Sequence, residues 1–228
     1  MQKYIQEGIK MSKPTDTLTG LISEAELNTE METLIAKGEE FALVIMDIDK
    51  LLALNRDYGF EAGDDVFRLI AKHIKNIFPE PCLAFRGSRD HFEIIMPSSG
   101  KEEAFLKAEQ LRKLVHEEKL GYKSQDGTPL TQSISAGVAS YPEDGNRPAD
   151  IFRRADSAMV RAKKGGRNLV MLAREEKLIP KTSHYTQAQL EKLSLISEKA
   201  NVGEAALLRE ALDDLTKKYD IDEVRANG

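Results

Sequence analysis

Charged side chains gather at a few places where chemistry could be done. Asp47 and Asp49 close the apolar run Phe41 to Met46, and Asn55, Asp64 and Asp65 follow shortly after. Arg86-Gly87-Ser88-Arg89-Asp90-His91-Phe92 lies between two short apolar stretches, and Lys163, Lys164 and Arg167 bracket Gly165-Gly166. By residue type alone, each place has a plain reading. Asp47 and Asp49 would cap the helix after the run, and Asp64 would be a solvated acid at a helix start. Lys163, Lys164 and Arg167 would complement the carbonyls of a helix ending at the glycines. Arg89 reads either as an exposed turn residue or as an anion contact. His73, His91, His116 and His184 show no close metal-ligand spacing, and the single Cys82 excludes an intrachain disulfide and reads as a buried, inert thiol.

The elements that must hold these groups follow from periodicity. Phe41 to Met46 is continuous enough for a fully buried central strand. Ser23-Glu24-Ala25-Glu26 has the spacing of a capping box, opening a helix with Leu27, Met31, Leu34 and Ile35 on one side. Val66, Ile70, Ile74 and Ile77 form a helical stripe between Gly63 and Pro79. Cys82–Phe85 and His91–Met96 read as strands around a tight turn at Ser88-Arg89. Lys101 to Glu118 is an amphipathic helix through Ala104, Leu111 and Leu114; Ser133 to Ala139 is a strand, and Ile151 to Lys164 a helix. The order predicts an α/β (α+β) fold, a central mixed sheet flanked by helices with an antiparallel hairpin in its middle.

With 228 residues, 41% of them hydrophobic, the chain suits one domain with an appendage. No apolar run approaches the ~18–20 residues that span a bilayer. Met1 to Lys13 lacks the apolar core of a signal peptide and reads as a short leader helix. The net charge of −5 gives no global pull toward nucleic acid. A cytoplasmic, mildly acidic protein without membrane attachment is expected.

Four blocks, taken in order, resemble the GGDEF family of diguanylate cyclases over roughly two thirds of the chain. They are Asp16-Thr17-Leu18-Thr19-Gly20-Leu21, Asp47-Ile48-Asp49 through Asn55 to Gly63-Asp64, Arg86 through Phe92, and Ala155-Asp156 through Ala162-Lys163-Lys164-Gly165-Gly166-Arg167-Asn168. The resemblance implies that Asp47 and Asp90, with the Ile48 carbonyl, hold the Mg²⁺ that accompanies GTP. It implies that Asn55 and Asp64 read the guanine edge, and that Lys163 and Arg167 contact the phosphates. The chain also departs from the family. Leu52 replaces a phosphate-neutralising lysine, Ser88 and Arg89 replace the signature glycines, His91 replaces the glutamate before Phe92, and Phe60 replaces a histidine-like residue. The family's inhibitory Arg-x-x-Asp motif falls on Pro79 and Cys82 and is absent. The degenerate signature Ser88, Arg89, Asp90, His91, Phe92 predicts impaired catalysis, because charge developing on a transferred phosphoryl group needs cations. The expected role is regulatory or scaffolding, with residual synthesis of cyclic di-GMP from GTP as the alternative.

The resulting organisation is a leader at 1–15, the GGDEF-like domain at 16–173, a linker at 174–180 and a module at 181–228. That module resembles a ribbon-helix-helix domain. Lys181, Thr182, Ser183, His184 and Tyr185 would form its ribbon, followed by helices at Thr186 to Lys199 and Glu204 to Tyr219. Leu190, Leu193, Ile196 and Ala200 stripe the first helix; Leu207, Leu208, Ala211, Leu212 and Leu215 stripe the second. Such chains pair their strands, so a homodimer through this module is expected, together with a protein partner that the sequence does not name. DNA binding through the ribbon is the disfavoured alternative. From Arg174 to Arg225 nine Lys/Arg face eleven Asp/Glu, and Glu204 stands where a helix N-terminus would meet phosphate.

Overall fold

Strand β2, Phe41–Ile48, is buried at every residue because it lies in the interior of a six-stranded sheet. The computed structural model describes residues 13–87, 89–124, 126–174, 182–200 and 202–218. The other strands are β1 (Ile22–Ser23), β3 (Leu83–Arg86), β4 (His91–Pro97), β5 (Ile134–Tyr141) and β6 (Val170–Leu172), in the order β1-β3-β4-β2-β5-β6. The outer pairs β1–β3 and β5–β6 are parallel; the inner pairs are antiparallel.

Alternation along β2 divides the core. Ala42, Val44, Met46 and Ile48 pack with residues of α2 (Leu51–Tyr58), α3 (Phe60–Ile77) and α4 (Lys101–Glu117). Phe41, Leu43 and Ile45 pack with α1 (Leu27–Lys37) and α5 (Pro148–Lys164). Asp47 shares the parity of Phe41 and Ile45, which places it on the α5 face. Helix α5 comes unusually close to the sheet at Gly137 of β5, where an added Cβ would stand 1.9 Å from the Ala155 carbonyl oxygen and 2.4 Å from the Met159 nitrogen. Only glycine allows that approach, and it sets the height of α5, including Lys163 in its last turn.

Several expectations are corrected. Ser23 makes no side-chain cap; it is a strand residue, paired with Arg86 and donating its N–H to Pro14 O. Glu24–Glu26 forms a 3₁₀ turn, and α1 starts at Leu27. Helix α3 begins at Phe60, after Gly59 at φ 88, so Gly63 lies inside it. Leu114 of α4 is exposed, and Ala108 and Val115 take up the buried stripe beside Ala104 and Leu111. Cys82 precedes β3 and is half-buried; burial pushes its thiol above the usual value, so it stays protonated. The leader falls almost wholly outside the described residues. Among the described residues, no helix is long and apolar enough to cross a membrane.

The chain forms two compact units, 1–175 and 176–228. The second contains α6 (Gln187–Ala200) and α7 (Glu204–Lys218). Thr186 and Gln189 cap α6 reciprocally, the Thr186 N–H donating to Gln189 Oε1 and the Gln189 N–H to Thr186 Oγ1. The expected ribbon strand is not formed: Thr182, Ser183, His184 and Tyr185 are irregular and exposed, and Lys181 lies outside the described residues. A lone strand in a single chain has no ladder partner. Gly137→Val should lower unfolding stability by roughly 3 kcal/mol or more through overpacking, measured by urea denaturation; an unchanged midpoint would refute the close-approach account.

Candidate functional site

Antiparallel pairing of β2 with β4 sets Asp47 directly opposite His91. The imidazole Nε2 lies 3.1 Å from Asp47 Oδ2, and Lys163 Nζ reaches the same oxygen at 2.8 Å. Asp47 is almost fully buried, and its Oδ1 accepts no hydrogen bond. Asp90 is next to His91 in the turn; its Oδ1 is 4.0 Å from His91 Nε2, and its backbone carbonyl accepts the Ile48 N–H at 3.3 Å. One ligand atom from each of Asp47, Asp90 and His91 falls within 4.8 Å of the others. The sequence spacing of the histidines missed this cluster, because the ladder, not chain proximity, brings the groups together.

Electrostatics separates the two carboxyls. Burial would raise Asp47, but hydrogen bonds and charge from His91 and Lys163 outweigh it and hold the carboxyl below its ordinary value. Asp90 is pushed above the usual range by burial and by the Asp47 charge. Burial opposes the charged form of His91, yet Asp47, Asp90 and Glu93 together hold it above the ordinary imidazole value.

Arg86 fixes the turn. Its guanidinium donates to the carbonyls of Gly87, Arg89 and His91, and it stacks 4.0 Å from the Phe67 ring centroid. Arg89 occupies the left-handed region at φ 58, a conformation that glycine adopts freely and a residue with a long side chain rarely does. Phe92 is fully buried against Phe67 and belongs to the core rather than to the chemistry. Ser88 lies outside the described residues.

Asp49 does not cap α2. Its carboxylate accepts from Ser133 Oγ, Ser135 Oγ and the Asn168 N–H at 2.7, 2.7 and 3.0 Å. It therefore ties the loop that carries Arg167 to the end of β2. Arg167 itself is exposed, at φ 65. The α2 cap is Lys50, in the left-handed region with no side-chain bond, so neither Asp47 nor Asp49 caps that helix. Asn55 projects from α2 against Gly63 of α3, its Oδ1 buried without a partner, and half-buried Asp64 is the next residue. Leu52 and Phe60 are 82% and 81% exposed, so neither departure is absorbed into the core. The ribbon residues Thr182 to Tyr185 belong to the second unit.

Glu93 is the residue that sequence reasoning passed over. It faces the α1/α5 side opposite Ile45 and Phe85, is 1% exposed, and neither carboxyl oxygen has a hydrogen-bond partner. Burial, and then the Glu24 charge, push it up to about 8. An added Cβ at Gly87 would lie 2.4 Å from Glu93 Oε1. A lone acid in an otherwise apolar strand was the available signal.

With this geometry in place, comparison identifies relatives. The family model described as diguanylate cyclase, GGDEF domain, matches residues 14–169, and a ribbon-helix-helix domain model matches residues 177–220. Diguanylate cyclase DgcP of Pseudomonas aeruginosa is 31% identical over 164 residues, 70% of this chain and 24% of that protein. Diguanylate cyclase VdcA of Vibrio cholerae is 32% identical over 157 residues, 68% of this chain and 46% of that protein. The chain thus spans less than half the length of these curated relatives. The crystal structure of the GGDEF domain of DgcB from Caulobacter crescentus in complex with c-di-GMP superposes with a TM-score of 0.63 at 26% identity, covering 72% of this chain and 98% of that one.

Glu93 makes stability depend on pH. Between about 4.5, its ordinary value, and about 8, the folded protein keeps a proton that the unfolded chain has released. Stability from this group is therefore full below about 4.5 and is lost as pH rises to about 8, by up to ~1.4 kcal/mol per pH unit. Glu93→Gln should gain stability relative to the native protein across that window in denaturant titrations; parallel pH profiles would refute it.

Proposed function

The chain belongs to the GGDEF domain family through residues 14–169, and from that premise we propose that it is a catalytically impaired, GTP-binding regulatory component of cyclic-dinucleotide-type signalling. The observation that carries the proposal is Asp47, a buried carboxylate kept ionised by His91 and Lys163 with one oxygen still unpartnered. That oxygen fits a divalent cation. Asp47, Asp90 and the Ile48 carbonyl would hold Mg²⁺, which would neutralise phosphate charge. Asn55 and Asp64 would accept from the guanine edge, and Lys163 and Arg167 would pair with phosphate oxygens.

Exposed Leu52 brings no cation to the phosphates, and Arg89 puts a long side chain where the family has glycine. His91 stands where the family has an acid and engages Asp47. These features favour binding over turnover. Retention of both metal-position carboxylates keeps residual cyclase activity as the second reading.

The C-terminal unit would supply dimerisation. Leu190, Leu195 and Ile196 of α6 and Leu212 and Leu215 of α7 remain exposed in the single chain. Paired ribbons from two copies would cover such faces.

Calorimetric titration with GTP and Mg²⁺ should show binding that Asp64→Ala and Asp90→Ala each weaken about tenfold or more, the loss expected for a charged hydrogen bond or ligand. Unchanged affinity in both variants would overturn the nucleotide reading, and cyclic di-GMP appearing in the same mixtures by mass spectrometry would favour the residual cyclase. Light scattering should give a dimer for the native chain and a monomer for Leu212→Asp with Leu215→Asp; a native monomer at micromolar concentration would remove the dimerisation role.

A further inference from the structure

A ligand set of two carboxylates and one imidazole is not the set that a hard magnesium ion selects. Mg²⁺ takes oxygen ligands and gives up water reluctantly. Imidazole nitrogen suits borderline transition ions such as Zn²⁺, Co²⁺ and Ni²⁺, and carboxylates complete mixed sites for them. Asp47, Asp90 and His91 offer ligand atoms within 4.8 Å of one another. Independently, Asp47 is only 2% exposed and its Oδ1 accepts no hydrogen bond. A buried anionic oxygen left without a donor is costly, and a bound cation would supply the missing partner.

The scaffold suits ligation. Asp47 and His91 are held opposite each other by the β2–β4 ladder. Asp90 sits in the turn whose carbonyls Arg86 gathers, and its own carbonyl is bonded to Ile48 N–H. Asp47 Oδ2 already engages His91 Nε2 and the Lys163 ammonium; an entering ion would take His91 as neutral imidazole, its proton released to solvent. Lys163 stands in the final turn of α5 with its side chain partly exposed, so it can leave Asp47 for solvent when an ion enters.

We infer that Asp47, Asp90 and His91 form a nucleotide-independent site for a borderline divalent transition-metal ion, with His91 setting the preference over Mg²⁺ and Lys163 acting as an internal competitor. The site lies in the pocket proposed for GTP and rests on that placement of ligands, but it needs no nucleotide.

The test is titration of the full chain, free of nucleotide, with Co²⁺ followed by visible absorption, and with Zn²⁺ and Mg²⁺ by calorimetry and competition. One Co²⁺ or Zn²⁺ per chain should bind about a hundredfold or more tighter than Mg²⁺, with absorption typical of mixed oxygen and nitrogen ligands. His91→Glu should erase most of that preference, and Asp47→Ala should abolish binding of either ion. Lys163→Met, which keeps chain length and removes the charge, should tighten Co²⁺ binding. Equal Co²⁺ affinity in the native protein and His91→Glu, or no Co²⁺ binding at all, overturns the proposal. If GTP still binds in that case, only the metal inference fails. If Co²⁺ binds through His91 but GTP does not bind, the nucleotide reading alone fails.

Discussion

The carboxylate of Asp47 stands at the end of a strand from which solvent is excluded, and a charge there must be met by other charges. Geometry limits what can meet it. The antiparallel ladder supplies position 91 from β4, and the close seating of α5 on Gly137 brings Lys163 within reach. Both cationic groups converge on one oxygen, leaving the other without a donor. Breaking such a cluster by removing one partner leaves a buried ion uncompensated, which costs more than the pair contributes when intact. The packing of α5 and the ionisation of the site are thus one problem solved together.

A second constraint acts on the turn between β3 and β4. Arg89 adopts a backbone conformation that disfavours side chains, and Arg86 holds the turn by bonding three carbonyls while lying over Phe67. Strained conformations persist where the surroundings over-determine them. The β3–β4 strands pair in register beside the turn. It presents a guanidinium and an imidazole on either side of the Asp90 carboxyl.

Much of this was legible in the sequence because it depends on local pattern. The buried run of β2, the stripe of α3 and the hairpin all follow from periodicity, and residue order places Asp47 and Asp90 at strand ends. What escaped depends on contacts across the fold. The spacing of histidines gives no hint that His91 meets Asp47. Asp49 looks like a helix cap and instead gathers two serines and the Asn168 amide. Leu114 fits a helical stripe but points to solvent, since Ala108 and Val115 complete the buried face. The ribbon expected at Thr182 to Tyr185 is not formed; those residues are irregular and exposed.

The contact between Gly87 and Glu93 limits what the hairpin can accept. A Cβ at 87 would stand 2.4 Å from Glu93 Oε1 and 2.9 Å from His91 Cβ. The carboxyl is the far end of a flexible side chain, so a larger residue at 87 would be met by re-aiming the buried acid, and the two positions are mechanically linked.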